Sequence, residues 1–167
     1  IRAQVRRTTT TLELRYDLGT LSLWAGLSLP TGTPEKPNPD VVTEDVSVSN
    51  LQTGSGTYDP MARLRLEWPL RDVALFAEAS VRFPVYENRY DYRTADTEVL
   101  VVGAEVPVVP KFSAGLSAMY QRTGRDQFRG DDVGVGGARW VYLVPAVSWQ
   151  VTESAALDFS VRVPVYR

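Results

Sequence analysis

The sequence predicts an all-β fold, an antiparallel up-and-down β-barrel that crosses a membrane, and three observations carry this prediction. Apolar and polar residues alternate with a period of two along most of the chain. Short and long connections follow one another between the alternating segments. The 167 residues have a mean hydropathy of −0.17, and no apolar run approaches the roughly 18 residues of a membrane helix. A barrel has such a composition because only half of each strand faces lipid.

Eight segments carry the alternation, and each is long enough to cross a bilayer as a tilted strand. Between Leu21 and Leu29, for example, the odd positions are leucine or alanine, and the even positions are polar, small or aromatic. A helix would scatter the even positions around its axis, whereas a strand places them on one face. The predicted strands cover residues 8–17, 20–30, 58–69, 72–85, 96–108, 111–122, 138–151 and 154–166.

The connections indicate how the barrel is oriented. Short turns are predicted near residues 18–19, 69–71, 109–110 and 152–153, and long loops at about 31–57, 86–95 and 123–137. Outer-membrane barrels combine short periplasmic turns with longer extracellular loops. We therefore expect a bacterial outer-membrane protein whose partners are the lipid bilayer and lipopolysaccharide, with other envelope proteins as further candidates.

The chain is predicted to be one transmembrane barrel domain over residues 1–167, with both ends on the long-loop side. The first predicted strand runs toward a short turn, and the last runs away from one. Complete bacterial barrels normally have an even number of strands and both chain ends on the short-turn side. We therefore expect a strand to be missing at each end, so that the eight strands belong to a barrel of ten or more. The alternative is that the long loops are periplasmic.

Aromatic residues on the predicted apolar face lie beside the short turns. They are Tyr16, Trp68, Phe112 and Trp149. Because aromatic residues concentrate at membrane–water interfaces, we predict that these four form one interfacial girdle. Phe83 and Tyr120, near the long loops, would begin the second girdle. The alternative is that these are core aromatic residues of a soluble sandwich.

The other face of the predicted strands is densely charged, and in a barrel its residues would line the lumen and pair across strands. The predicted lumen-lining network consists of Glu13, Arg15, Arg63, Arg65, Glu67, Glu78, Arg82, Glu105, Asp158 and Arg162. Side chains nearly fill an eight-stranded interior, so there the network would act as a plug. A barrel of ten or twelve strands would leave a narrow polar channel, and both interpretations stay open.

Composition excludes several classes of site. The chain has no Cys and no His, which removes disulfides, thiolate zinc sites and histidine-based catalytic triads. The net charge of −2 gives no electrostatic footprint for nucleic acid. Glu67 and Glu78 share their face with arginines that would keep both carboxylates ionised, so neither predicts a general acid. We therefore predict no enzyme activity, no cofactor and no metal site.

Three short motifs resemble a known family. They are residues 27–32 (LSLPTG), residues 51–60 (LQTGSGTYDP) and residues 163–166 (VPVY). In this order they resemble the outer-membrane "meta-pathway of phenol degradation" family of transporters. The resemblance implies a barrel that takes up small aromatic or other apolar solutes. Members of that family are usually longer, and a further strand tends to follow the VPVY segment.

Two functions follow from these observations. The first is a passive outer-membrane channel or uptake protein for small, aromatic or apolar solutes. The alternative is a structural barrel with a plugged lumen, which serves as a membrane anchor or an accessory subunit of an envelope assembly. A soluble ligand-binding barrel of the lipocalin kind ranks last because the charged face is too dense for a dry ligand cavity.

Overall fold

The computed structural model describes residues 2–6, 9–29, 57–88, 91–152 and 155–166. Every regular element within these ranges is a β-strand. The same ranges contain no helix that is long and apolar enough to span a membrane. The all-β prediction is confirmed.

Ten of the thirteen described strands form one large antiparallel sheet, and three form a small one. The large sheet has the order β1-β2-β3-β4-β5-β7-β8-β11-β12, with β13 also beside β11, and the small sheet has the order β10-β9-β6. The strands are β1 (Arg2–Arg6), β2 (Thr9–Leu18), β3 (Leu21–Leu29), β4 (Asp59–Leu70), β5 (Val73–Arg82), β6 (Tyr92–Arg93), β7 (Thr97–Val109), β8 (Phe112–Thr123), β9 (Arg125–Phe128), β10 (Asp131–Gly136), β11 (Arg139–Thr152), β12 (Ala155–Ser160) and β13 (Val163–Tyr166).

The large sheet is an up-and-down meander curled into a half-barrel. Each of its strands pairs with the strand that precedes it in the sheet and runs in the opposite direction. Among the described residues, β1 and β12 lie at the two edges and do not pair with each other. The predicted antiparallel up-and-down sheet is therefore confirmed as a half-barrel, whose edge strands do not meet within the described residues.

The structure adds a strand before the first predicted one. β1 pairs with β2 from Arg2 opposite Glu13 to Arg6 opposite Thr9. Its five residues alternate, but the segment is too short to satisfy the length expected of a membrane-crossing strand. The sheet therefore has nine strand positions where the sequence predicts eight. β5 ends at Arg82 and not at residue 85, because Pro84 has no N–H for the ladder.

The last predicted strand is divided into β12 and β13 at residues 161–162. Val161 donates its backbone N–H to the carbonyl oxygen of Pro145 at 3.1 Å. A hydrogen-bonded antiparallel pair normally exchanges two such bonds, but Pro145 has no N–H to return. Pro164 lacks a donor on β13 in the same way. These two prolines weaken the ladder where the strand divides.

Three two-residue turns join β2 to β3, β4 to β5 and β7 to β8 at one end of the sheet. Gly19, Arg71 and Lys111 adopt positive φ angles of 64°, 56° and 72° in these turns. In the third turn Lys111 follows Pro110, which is the residue order of a type II turn. The fourth predicted short turn, near residues 152–153, includes residue 153, and the predicted loop at residues 31–57 includes residues 31–56; both stretches lie outside the described residues.

The other end of the sheet carries an ordered hairpin within the predicted loop at 123–137. β9 follows β8 along the chain and β10 precedes β11. β9 pairs with β10 on one side and with β6 on the other. The hairpin turns at Arg129 and Gly130, whose φ angles of 54° and 82° are both positive, as a type I′ turn requires. Part of the second long loop is thus organised by pairing with the third.

The register between neighbouring strands places apolar residues opposite apolar residues and polar residues opposite polar ones. Along β8 and β11, for example, Tyr120 is opposite Val141, and Phe112 is opposite Trp149. Apolar residues therefore collect on one side of the sheet, the apolar face, and most of the charged residues collect on the other, the polar face. A change of register by one residue in any strand would reverse its two faces.

Candidate functional site

The polar face is the concave side of the half-barrel. One groove of about 280 Å³ is lined mainly by polar-face residues from six strands, β4, β5, β7, β8, β11 and β12. Glu78 and Met119 on this face are also largely shielded from solvent, as on the inner side of a curled sheet. Arg65, Glu105 and Asp158, three members of the predicted lumen-lining network, all line this groove.

The apolar face is exposed where a soluble sheet would bury it, and parts of the polar face are buried. On the apolar face, Leu100 is 53% exposed and Leu116 is 52% exposed. On the polar face, the Glu78 side chain is 19% exposed, and Met119 is 6% exposed. Soluble proteins bury leucine and expose glutamate. The half-barrel therefore presents an exposed apolar face, whereas the exposure of its polar face is mixed: the Arg15 and Glu67 side chains are 55% and 54% exposed.

Four predicted lumen residues form one ion-pair cluster on β4 and β5. Glu78 lies directly opposite Arg65, and its carboxylate oxygens are 3.6 Å from Arg65 Nη1 and 3.5 Å from Arg63 Nε. Arg65 Nε also lies 2.7 Å from Glu67 Oε1. The four formal charges sum to zero, and Glu78 is the member shared by both arginines.

A second polar cluster lies nearer the short turns, on β2 and β3. Arg15 Nε is 2.8 Å from Asp17 Oδ1. The Ser22 hydroxyl donates to the same oxygen at 2.5 Å, and Arg15 Nη2 donates to Ser22 Oγ at 3.4 Å. Asp17 and Ser22 face each other because the two-residue turn that follows Leu18 sets the register of this hairpin.

Aromatic rings join these two clusters. Trp24 lies between Arg15 and Arg63 in one cross-strand row, and the two guanidinium carbons are 4.9 Å and 5.6 Å from the centre of its ring. Arg65 lies 4.2 Å from the ring centre of Phe76. These are cation–π distances. Trp24 and Phe76 are absent from the predicted network, although the alternation already places both on the polar face.

A glycine allows Phe76 to lie close to the sheet. Gly103 is directly opposite Phe76 on β7. A Cβ atom at residue 103 would lie 2.7 Å from Phe76 Cζ and 2.6 Å from Ser117 Cβ, which is closer than carbon atoms pack. The position of the Phe76 ring, and of the Arg65 guanidinium group beside it, therefore requires a glycine at residue 103.

The second half of the polar face carries carboxylates and hydroxyls. Ser113 donates a hydrogen bond to Glu105, and Asp158 lies opposite Ser148. Within the described residues neither carboxylate forms an ion pair. The four arginines of β2, β4 and β5 are therefore on one wall of the concave face, and Glu105 and Asp158 are on the other.

The remaining predicted lumen residues are placed apart from the ion pairs. Glu13 lines a small cavity of about 90 Å³ together with Trp24 and Arg63. The Nε atom of Arg82 is buried, and it has no hydrogen-bond partner among the described residues. Arg162 lies in the exposed break between β12 and β13. The network that the sequence predicts is therefore continuous only from β2 to β5.

The apolar face has aromatic residues at its short-turn end. The four predicted girdle residues lie on this face and are solvent-exposed: Tyr16, Trp68, Phe112 and Trp149. The rings of Phe112 and Trp149 are stacked, with centres 5.6 Å apart and planes 4° apart. Each of the four is close to a short turn or to the end of its strand.

A row of charged residues ends the apolar face at the long-loop end. Glu98, Arg122 and Arg139 lie directly opposite one another on β7, β8 and β11. Glu98 and Arg122 form an ion pair at 3.3 Å. The next row toward the short turns is Leu100, Tyr120 and Val141. The apolar face is thus a band with stacked aromatic rings at one border and charges at the other.

No protein-family model matches the chain, and no curated protein matches it. The resemblance to the meta-pathway family therefore stays a prediction. Residues 30–32 and 51–56, which carry parts of two of its motifs, lie outside the described residues. In the ranges that the structure describes, no group of three or more potential metal-ligating side chains occurs.

Proposed function

We propose that the half-barrel is part of the wall of a bacterial outer-membrane β-barrel, with the apolar face in lipid and the polar face around a lumen. The exposed apolar face is the observation that carries this proposal. Leucines that are half-exposed in water would be buried in the acyl chains, at roughly 25 cal/mol per Å² of apolar surface removed from water. The charged side chains would stay hydrated in the lumen.

The height of the apolar band supports the same proposal. Phe112 and Arg122 lie ten residues apart on β8, which is about 33 Å of strand at roughly 3.3 Å per residue. At a strand tilt of about 40°, this length spans about 25 Å along the membrane normal. That value equals the height of about 25 Å that is typical of the apolar band of outer-membrane barrels.

We further propose that the lumen conducts small solutes passively. The groove of about 280 Å³ on the concave face has room for a small molecule, and its lining combines the Phe76 ring with polar side chains. The resemblance to the meta-pathway family favours aromatic or apolar solutes of that size. The long loops would then be extracellular, and the two-residue turns would be periplasmic.

A second candidate function is a structural barrel whose lumen is plugged. The observation that favours it is the neutral cluster of Arg63, Arg65, Glu67 and Glu78, in which every charge has a partner within 4.0 Å. Side chains that are paired in this way can fill the interior of a small barrel and leave no path for solutes. Such a barrel would serve as a membrane anchor or as part of an envelope assembly.

Conductance in planar lipid bilayers separates the two candidates. The channel proposal expects discrete conductance steps from the refolded protein. Glu78→Gln would leave Arg63 and Arg65 with less compensating charge, so the reversal potential in a salt gradient should shift toward anion preference. Asp131→Asn, which removes an exposed hairpin carboxylate, is the matched control and should leave the potential unchanged. Bilayers that stay silent after verified insertion would favour the plugged barrel.

A further inference from the structure

The charged row at the border of the apolar face contains an unbalanced pair of arginines. Arg122 and Arg139 are directly opposite each other on β8 and β11, where like charges destabilise a sheet unless something neutralises them. Glu98 neutralises one of the two through its ion pair with Arg122. Among the described residues, no carboxylate forms an ion pair with Arg139. The row therefore has a net charge of +1.

The surroundings of this row define which anion would fit it. Both arginines are exposed, so their guanidinium groups are open to a ligand. The adjacent row consists of Leu100, Tyr120 and Val141, on the same face. A ligand that contacts both rows therefore needs an anionic group at one end and an apolar body directly beneath it.

We propose that Arg122 and Arg139 bind the phosphate of an anionic lipid headgroup in the outer leaflet, with the acyl chains lying against Leu100, Tyr120 and Val141. The inference rests on the proposed function, because it requires the apolar face to lie in a membrane with the long loops outside. The guanidinium fork matches phosphate oxygens in a bidentate geometry. Phosphorylated glycolipids of the lipopolysaccharide class have this combination of phosphate and acyl chains.

Lipid binding by the refolded protein in detergent micelles, measured by native mass spectrometry, tests the inference. The probe is diphosphorylated lipid A, compared with its dephosphorylated form and with inorganic phosphate. Wild-type protein should bind the phosphorylated lipid at least tenfold more tightly than the dephosphorylated one, because one charge-assisted hydrogen bond contributes about a decade in affinity. Inorganic phosphate at millimolar concentration should not displace the lipid. Equal affinity for both lipids, or displacement by phosphate alone, would overturn the inference.

Two sets of variants make the test specific to these arginines. Arg122→Gln combined with Arg139→Gln should remove the preference for the phosphorylated lipid. Arg93→Gln combined with Arg129→Gln removes the same charge from the loops and should keep the preference. Arg139→Gln alone breaks no ion pair with a described residue, so it should fold normally and still weaken lipid A binding about tenfold. A preference that survives in all three variants would refute the site.

Failure of the site and failure of the membrane assignment would look different. Insertion is measured independently, by the resistance of the strands to protease in phosphatidylcholine vesicles that contain no lipid A. Protein that inserts but shows no preference for the phosphorylated lipid would overturn the lipid site alone. Protein that does not insert would overturn the proposed function, and the site with it.

Discussion

Replacing Leu116 by arginine distinguishes lipid from water at the apolar face. Leu116 lies on β8, four residues from Phe112 at one border and four from Tyr120 near the other, which places it at the middle of the band. Its side chain is 52% exposed in the isolated chain. In water, an exposed substitution of this kind changes the free energy of unfolding by less than about 0.5 kcal/mol. The substitution is therefore strongly destabilising only if the apolar face lies in lipid.

The expected cost in a membrane is several times larger. Arginine at the bilayer midplane of a transmembrane barrel costs about 2–4 kcal/mol, which lowers the folding equilibrium constant by roughly 30- to 700-fold at about 1.4 kcal/mol per decade. Ser148→Arg is the matched control on the polar face. Ser148 lies opposite Ser113 and Asp158, so the new guanidinium group would be hydrated near a carboxylate and should cost less than about 1 kcal/mol.

The assay is guanidinium titration of protein refolded into phospholipid vesicles, followed by tryptophan fluorescence. The account expects Leu116→Arg to lower the midpoint strongly and Ser148→Arg to leave it nearly unchanged. If Leu116→Arg stays within about 0.5 kcal/mol of wild type, the apolar face does not lie in lipid, and the argument from exposure is wrong.

Two further predictions concern packing and the loops. Gly103→Ala should destabilise the half-barrel by about 1–3 kcal/mol, because the added Cβ would lie 2.6 Å from Ser117 Cβ. The control in the same titration is Gly115→Ala, whose Cβ would lie 3.4 Å from its nearest neighbour. It should change the free energy of unfolding much less. Asp126 is buried and accepts hydrogen bonds from the Tyr92 hydroxyl and from the Ala95 N–H at 2.7 Å. Asp126→Asn should therefore speed amide exchange in residues 91–96 while the exchange of β8 stays constant, and Asp132→Asn should have no such effect; equal acceleration in both variants would contradict this role.

The architecture of the large sheet was predictable because a period of two is a local property. The strands β2, β3, β4, β5, β7 and β8 each needed only their own residues and a turn signal such as Pro110. Two-residue turns also set the register between neighbours, so the pairing of Arg65 with Glu78 follows from the turn at residues 71–72. The sequence predicted only that charges on this face pair across strands, and its turn at residues 69–71 lay too early in the chain to give the observed pairing of Arg65 with Glu78.

The features that could not be predicted from the sequence depend on contacts between residues that are far apart in the chain. The last strand divides because Pro145, on the neighbouring strand, cannot return a hydrogen bond to Val161. The small sheet joins β6 to β9 across more than 30 residues, and no local pattern reports such a pairing. Trp24 meets Arg63 across the connection between β3 and β4, whose length leaves their register undetermined before folding.

The four tryptophans of the chain offer the most direct test of the membrane-barrel account. Trp68 and Trp149 lie on the apolar face, whereas Trp24 and Trp140 lie on the polar face. Four variants that keep one tryptophan each, with phenylalanine at the other three positions, are refolded into vesicles of lipid with brominated acyl chains. The account predicts strong fluorescence quenching of Trp68 and Trp149 and weak quenching of Trp24 and Trp140. Equal quenching of all four, or stronger quenching of the second pair, would contradict it.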